Sequence, residues 1–98
     1  MNIMKTANGE NLSINLEGRL DTITSPYLEA ELKASLNGVT KLELDFSKLE
    51  YLSSAGLRVI LSAQKLMNKQ GKMIVKNVNS IIMEVFEVTG FVDILTIE

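Results

Sequence analysis

The first half of the chain alternates apolar and polar residues in short runs, a pattern typical of strands with one buried face. The run from Leu12 to Gly18 is the clearest, and a second run covers Ile3 to Ala7. Between them stands Asn8-Gly9, a pair that favours a tight turn, so the two runs are predicted to form a β-hairpin. Lys41 to Phe46 alternates in the same way and predicts a third strand.

Three other segments carry apolar residues at helical spacing. Their predicted bounds are Pro26 (with Ser25 as N-cap) to Asn37-Gly38, about Ala55 to Lys69, and Asn79-Ser80 to Gly90. The predicted buried stripe of the longest one comprises Gly56, Val59, Ile60, Ala63, Leu66 and Met67. The chain therefore alternates strands and helices after its N-terminal hairpin.

This element order, β-β-α-β-α-β-α, predicts an α/β fold in a single domain over residues 1–98. Strands joined through a helix pair in parallel by right-handed crossovers, whereas the hairpin is antiparallel. Met73 to Val75 supplies a fourth strand, and Leu95 to Ile97 is either a fifth strand or a tail. We therefore expect a mixed four- to five-stranded sheet with helices packed on it.

Composition excludes several kinds of chemistry. The 98 residues include no histidine and no cysteine, so a Ser-His-Asp triad, a thiol nucleophile and a His/Cys zinc site are absent. No Walker A or Rossmann glycine pattern occurs, so we expect no cofactor and consider a nucleotide-binding or hydrolytic protein disfavoured. No apolar stretch has the length of a signal peptide or a membrane span, so we expect a cytoplasmic location without membrane contact.

The charges are distributed unevenly around a formal net charge of −2. Residues 1–50 carry 5 basic and 8 acidic side chains, and residues 84–98 carry 4 acidic ones and no basic one. Residues 51–83 carry only basic charges, on Arg58, Lys65, Lys69, Lys72 and Lys76. One interpretation is an ordinary solvated helix face; the other is a basic ridge that meets an acidic partner surface. Direct nucleic-acid binding is not expected from this balance.

Ser53 and Ser54 stand between the third strand and the longest helix, where a functional site is favoured. Sites in parallel α/β folds gather at the carboxyl ends of strands, and helix N-termini there favour negative charge. One interpretation makes both serines helix caps. The other has one serine cap the helix while the other accepts a phosphate, which adds about −1.5 to −2 charges.

The segment from Tyr51 to Leu61 resembles the signature of the STAS domain, as found in bacterial anti-sigma factor antagonists. Three further segments agree in order and spacing. Leu16 to Asp21 is similar to the family's turn after the second strand, Lys41 to Phe46 to its central strand, and Phe86 to Phe91 to a helix end. The resemblance covers essentially the whole chain and implies a STAS-like fold.

The resemblance also implies a function, that of an anti-sigma factor antagonist in a partner-switching pathway rather than an enzyme. The unphosphorylated protein would bind an anti-sigma factor that is also a serine kinase and so release the sigma factor. Phosphorylation would end binding, and a metal-dependent serine phosphatase would restore it. The implied acceptor is Ser54, and the expected partner-binding residues are Asp21, Ser53, Ser54, Ala55, Gly56 and Arg58. We expect a monomer.

Two positions depart from the family pattern. Ser53 stands where the family usually has Asp, which favours an alternative: a STAS subunit that is not phosphorylated and regulates a transporter or a larger signalling assembly. Ala55 stands where the family often has Ser or Thr, which leaves Ser54 as the clearer acceptor. Asp21 either caps the turn before the first helix or contributes to the phosphorylation site. Arg58 follows Ser54 by one helical turn and is predicted to pair with a phosphate there.

Overall fold

A computed structural model describes all residues from Met1 to Glu98 and contains four β-strands and three α-helices. In chain order they are β1 (Asn2–Asn8), β2 (Asn11–Leu20), α1 (Ser25–Ser35), β3 (Lys41–Leu52), α2 (Ser54–Gln70), β4 (Lys72–Lys76) and α3 (Ser80–Thr89). A short 3-10 turn, Phe91–Asp93, follows α3. The predicted α/β order is confirmed. None of the helices combines the length and the hydrophobicity needed to cross a membrane.

The four strands form one mixed sheet in the order β1-β2-β3-β4. The predicted hairpin of β1 and β2 is antiparallel, and β3 pairs in parallel with both β2 and β4. The C-terminal segment around Ile97 makes a single bridge to Val75 rather than a strand. The sheet therefore has four strands, with the last residues as a tail beside β4.

One face of the sheet is covered and the other is open. The covered face supplies the apolar residues of β2 and β3, and all three helices add their own apolar residues to the same core. Near its centre, the rings of Phe46 and Phe86 are 6.3 Å apart, which joins β3 to α3. The open face carries the polar residues that alternate with the buried ones, such as Ser13, Asn15 and Glu43.

The start of α1 corrects one prediction. The N-cap residue is Thr24, and Ser25 is already helical, so the prediction of Ser25 as N-cap is wrong. The Ser25 side chain is buried, and its hydroxyl donates to the backbone carbonyl of Asp21. The Thr24 hydroxyl donates to the carbonyl oxygen of Arg19 at 2.7 Å instead of capping the helix. A buried hydroxyl needs a partner, and the preceding turn supplies it.

β3 continues to Leu52, well beyond the predicted end at Phe46. The alternation stops at Phe46 because two irregularities in the pairing of β2 with β3 each insert an extra residue into β3. At the first, Asp45 Oδ1 accepts a hydrogen bond from the backbone N–H of Ser47 at 2.8 Å and supports the bulge. Beyond it, the strand buries every third residue, Leu49 and Leu52.

The predicted buried stripe of α2 is correct except at Leu66, which is 41% exposed. Leu66 lies at the rim of a groove between α1 and α2 rather than in the core. Two residues outside the predicted stripe, Leu57 and Gln64, are buried instead. The buried face of α2 therefore lies closer to Leu57 and Gln64, and farther from Leu66, than the predicted stripe.

Candidate functional site

The carboxyl ends of β2 and β3 lie side by side, with Leu20 paired to Leu52. The backbone N–H of Ser53 donates to the carbonyl oxygen of Leu20 at 2.9 Å. This bond holds the start of α2 against the turn that begins at Asp21. The sheet therefore brings Asp21 and the segment Ser53 to Gly56 together at one edge, where parallel α/β folds build their sites.

Ser53 and Ser54 occupy different positions at the start of α2. Ser53 is the N-cap residue, and its Oγ accepts a hydrogen bond from the backbone N–H of Gly56 at 3.3 Å. Ser54 is the first helical residue and is exposed. The cap is complete without Ser54, so the Ser54 hydroxyl faces solvent next to the free N–H groups of the helix end.

Gly56 sets how closely α2 approaches the sheet. It is buried, and a Cβ atom at this position would lie 2.7 Å from Cγ of Leu20 and 2.8 Å from Cδ1 of Leu52. Such distances are too short for carbon atoms, so only glycine fits without a shift of its neighbours. Gly56 is therefore not a surface residue of the site but determines the height of Ser54 above the strand ends.

Asp21 caps the turn between β2 and α1. Its Oδ1 accepts hydrogen bonds from the backbone N–H groups of Ile23 and Thr24, each at 3.0 Å, and lies 3.1 Å from the Thr24 hydroxyl oxygen. Arg19 Nε lies 3.7 Å from Asp21 Oδ2. The hydrogen bond from the Thr24 N–H is the main cause that lowers the pKa of Asp21, so the site holds one fixed negative charge.

Arg19 and Tyr51 add a feature at this edge that the sequence pattern did not indicate. The Arg19 guanidinium lies 4.1 Å from the centre of the Tyr51 ring, and the two residues are paired across β2 and β3. An arginine over an aromatic face is held by the charge distribution of the ring. The pairing depends on the two bulges of β3, and periodicity alone does not reveal bulges.

Exposed apolar side chains surround the same edge. Ile23 is 77% exposed in the turn after β2, and Tyr27 and Tyr51 are also exposed. Aromatic side chains are enriched at protein interfaces, and exposed apolar patches mark interaction sites. No group of three or more acidic side chains with the geometry of a metal site is present. The exposed side chains therefore have the chemistry of a contact surface.

Arg58 is exposed one turn along α2 from Ser54 and makes no ion pair. Lys65, Lys69 and Lys72 also make none, whereas Lys76 pairs with Glu43 at 3.3 Å. The basic charges that the sequence concentrates in residues 51–83 are therefore largely free on α2 and at its end. This cationic row begins at the site and leads away from it.

Comparison with known proteins agrees with this geometry. Residues 2–98 match the family model of the STAS domain. BtrV of Bordetella bronchiseptica, which is named among the anti-sigma factor antagonists, is 38% identical over 84 residues, covering 84% of this chain and 72% of that protein. The anti-sigma-B factor antagonist of Bacillus subtilis is 26% identical over 98 residues, covering 99% of this chain and 90% of that protein.

The fold is also found among solved structures. The Bacillus cell fate determinant SpoIIAA, in its phosphorylated form, superimposes with a TM-score of 0.78 at 20% identity, covering 99% of this chain and 91% of that one. The expected STAS-like fold is confirmed, and so is the resemblance to the STAS domain family. The chain therefore belongs to the STAS domain family, and within that family it groups with the anti-sigma factor antagonists.

Proposed function

We propose that the protein switches partners through Ser54. In its unphosphorylated form it binds an anti-sigma factor with serine kinase activity, and the sigma factor is released. The kinase then transfers a phosphoryl group from ATP to Ser54 Oγ, and a metal-dependent serine phosphatase removes it. The protein is a substrate and a binding module in this cycle, not an enzyme. The observation that carries the proposal is the exposed hydroxyl of Ser54 beside a cap that is already complete.

The division of roles between the two serines supports phosphorylation of Ser54. During transfer, the Ser54 oxygen forms a bond to the γ-phosphorus, its proton leaves, and the bond from that phosphorus to ADP breaks. None of these steps disturbs the hydrogen bond from the Gly56 N–H to Ser53 Oγ. The added charge of about −1.5 to −2 then lies at the positive end of α2. The free protein therefore accepts the phosphate without loss of its fold.

The same charge explains why binding would end. At an interface, the phosphate must leave water, and a dianion is costly to desolvate unless the partner supplies matching cations. Phosphorylation thus acts as a local change of charge rather than a change of shape.

The proposed contact surface consists of Asp21, Ser53, Ser54, Ala55, Gly56 and Arg58. Ser54 and Arg58 are exposed, and Asp21, Ser53 and Ala55 are partly exposed. Gly56 is buried and contributes by fixing the position of α2. The relatives named as anti-sigma factor antagonists support an anti-sigma factor as the partner. That SpoIIAA has been solved in a phosphorylated form supports a phosphorylation cycle.

One observation favours a second candidate function. Ser53 stands where the family usually has Asp, and its hydroxyl fills the cap that a carboxylate would otherwise fill. The cap is kept, but a charge that a kinase could recognise is lost. The alternative is therefore a STAS subunit that binds a transporter or a larger signalling assembly without a phosphorylation cycle.

Phosphate transfer tests the proposal directly. The protein is incubated with ATP and an anti-sigma factor kinase, and the phosphorylated residue is identified by mass spectrometry. The kinase must first be shown to phosphorylate the antagonist of its own pathway in the same assay. We expect one phosphate on Ser54, none in Ser54→Ala, and normal transfer in Ser62→Ala, which removes another exposed serine of α2. Phosphate on the Ser54→Ala protein would refute the site.

Binding gives a second, separate test. Ser54→Ala should bind the kinase as the native chain does, whereas Ser54→Asp should bind more weakly because it places a permanent charge at the interface. Equal binding of Ser54→Asp and the native chain would refute the charge switch. A native chain that binds its partner but is never phosphorylated supports the alternative function.

A further inference from the structure

α3 carries an apolar stripe that no other part of the molecule covers. Ile81 is 68% exposed and Val88 is 81% exposed, with the half-buried Val85 between them on the same side of the helix. Val92 and Ile94, just beyond the helix, are also exposed. Apolar side chains that are exposed together on one side of a helix are suited to contact with another molecule.

The border of this stripe is acidic. Glu84 and Glu87 lie on the exposed side of α3, and neither makes an ion pair. No basic residue occurs from Asn77 to Glu98. A partner for this surface must therefore offer apolar contacts together with basic charges.

A second surface of the same molecule has that chemistry. α1 and α2 enclose an apolar groove of about 300 Å³. Its apolar lining residues are Leu32, Leu36, Val59, Ala63 and Leu66. Ser62 lies on the α2 wall, and Glu29 and Lys33, which pair with each other at 3.5 Å, lie on the α1 wall. Its most exposed apolar member is Leu66, the residue that the sequence pattern had assigned to the core. The groove is thus an apolar surface that the fold leaves open.

The free cations of α2 border this groove. At about 100° per residue, Arg58 and Lys69 lie within about 40° of Ser62 around the helix, and Lys65 lies next to them. All three are exposed and none makes an ion pair. The α2 side of the groove is therefore basic, opposite in sign to α3, while Glu29 and Lys33 on the α1 side neutralise each other.

We propose that these two surfaces bind each other, so that α3 of one copy of this chain docks in the α1–α2 groove of another. Apolar side chains then face apolar side chains, and Glu84 and Glu87 face the free cations of α2. Because the two surfaces differ, the contact is head-to-tail, and each copy keeps one surface free for the next. This association goes beyond the proposed phosphorylation cycle and does not require Ser54.

The contact is weak by its size. One helix face in one groove belongs with interfaces that bury less than about 1,200 Å², which are typical of transient complexes. The expected monomer then describes dilute solution, and short chains of copies form as the concentration rises. Opposite charges also make the association sensitive to salt, because the screening length falls from about 30 Å at 0.01 M to about 8 Å at 0.15 M.

Sedimentation velocity of the full chain over a range of concentrations tests the proposal. We expect association that is stronger at about 0.01 M than at about 0.15 M salt. Reversing one surface, by Glu84→Lys with Glu87→Lys or by Lys65→Glu with Lys69→Glu, should weaken it by about 10-fold or more because like charges then meet. An equimolar mixture of these two variants should associate again, since each α3 meets a groove of opposite sign.

Two controls keep the experiment specific. Glu10→Lys with Glu50→Lys makes the same change of net charge as the α3 variant, at exposed, unpaired positions outside both surfaces, and should leave association intact. Val88→Ser should weaken it, whereas Met4→Ser, at an exposed apolar residue of β1, should not. Thermal melting verifies that each variant is folded. A native chain that stays monomeric throughout, or a mixture that associates no better than its components, would overturn the proposal.

Discussion

The carbonyl oxygen of Leu20 accepts a hydrogen bond from the backbone N–H of Ser53 at 2.9 Å. Because Asp21 follows Leu20 and Ser54 follows Ser53, this bond fixes the capped turn and the exposed hydroxyl relative to each other. A change that lifts α2 from the sheet would therefore alter the shape of the contact surface even when every residue of that surface is kept.

Substitution of Gly56 by alanine should lift α2 in this way. The new Cβ would meet Cγ of Leu20 at 2.7 Å, and we expect a loss of about 1–3 kcal/mol in the free energy of unfolding. Alanine gains about 1 kcal/mol over glycine in a helix, so a net loss requires the clash to dominate. Urea unfolding of dilute protein measures the difference, with Ser62→Ala as a control at an exposed position of α2. Unchanged stability of Gly56→Ala would contradict the close approach.

The cap at Ser53 can be separated from the charge that the family usually has there. Ser53→Ala removes the acceptor for the Gly56 N–H and should cost about 0.5–1 kcal/mol, at the low end because the bond is 3.3 Å long. Ser53→Asp supplies an acceptor with a charge that suits a helix N-terminus and should restore or exceed native stability. Thermal melting of the three proteins provides the comparison. An aspartate variant less stable than the alanine variant would argue against the cap.

Asp21 should make the stability depend on pH in the acid range. Its pKa is lowered in the folded state, chiefly by the hydrogen bond from the Thr24 N–H. The ionised carboxylate therefore stabilises the folded state fully at pH values above the pKa of about 3.9 that Asp has in the unfolded chain. That contribution is lost as the pH falls through the lower pKa of the folded state. Asp21→Asn should therefore be less stable than the native chain near neutral pH and approach it in strong acid. Urea midpoints across this range measure the gap, with Asp93→Asn as the matched loss of an exposed carboxylate. A gap that does not close in acid would contradict the assigned role.

Arg58 should stabilise the phosphorylated protein. A phosphate on Ser54 lies one helical turn away, and pairing at an exposed position contributes about 0.3–1 kcal/mol. We compare the melting of phosphorylated and unphosphorylated protein, first with the native Arg58 and then with Arg58→Ala. The increase in melting temperature on phosphorylation should be smaller in Arg58→Ala. It should be unchanged in Lys65→Ala, which removes a free cation farther along α2. An increment that is the same in all three proteins would exclude the pair.

Periodicity and turn residues were sufficient for the architecture. The hairpin, the three helices and the parallel pairing of β3 all follow from local patterns that the tertiary structure does not override. The hairpin turn lies one residue beyond the predicted Asn8-Gly9, because Asn8 pairs with Asn11 and leaves Gly9 and Glu10 as the loop. The cap at Asn79 was also predictable, because an Asn before an apolar helix can accept from the backbone, here from the N–H of Ile82 at 2.9 Å. Local chemistry and the global fold agree at these positions.

The remaining features depend on contacts between distant segments. Thr24 and Ser25 are equivalent as cap residues by local preference, and the choice between them follows from the burial of Ser25. The position of Leu66 in a groove depends on the angle at which α1 meets α2, which no local pattern encodes. The pair of Arg19 and Tyr51 requires two bulges to come into register. The site was located by its motif, but its neighbours across the sheet were not.

The bulges of β3 have a consequence for how this family can vary. Side chains alternate across a sheet, so one residue inserted or deleted between Phe46 and Leu52 would exchange inward and outward positions for the rest of the strand. Leu52 would then leave the core and Tyr51 would enter it. Length differences between related chains should therefore collect in turns such as Asn8–Asn11, while the spacing from Phe46 to Ser54 stays constant during evolution.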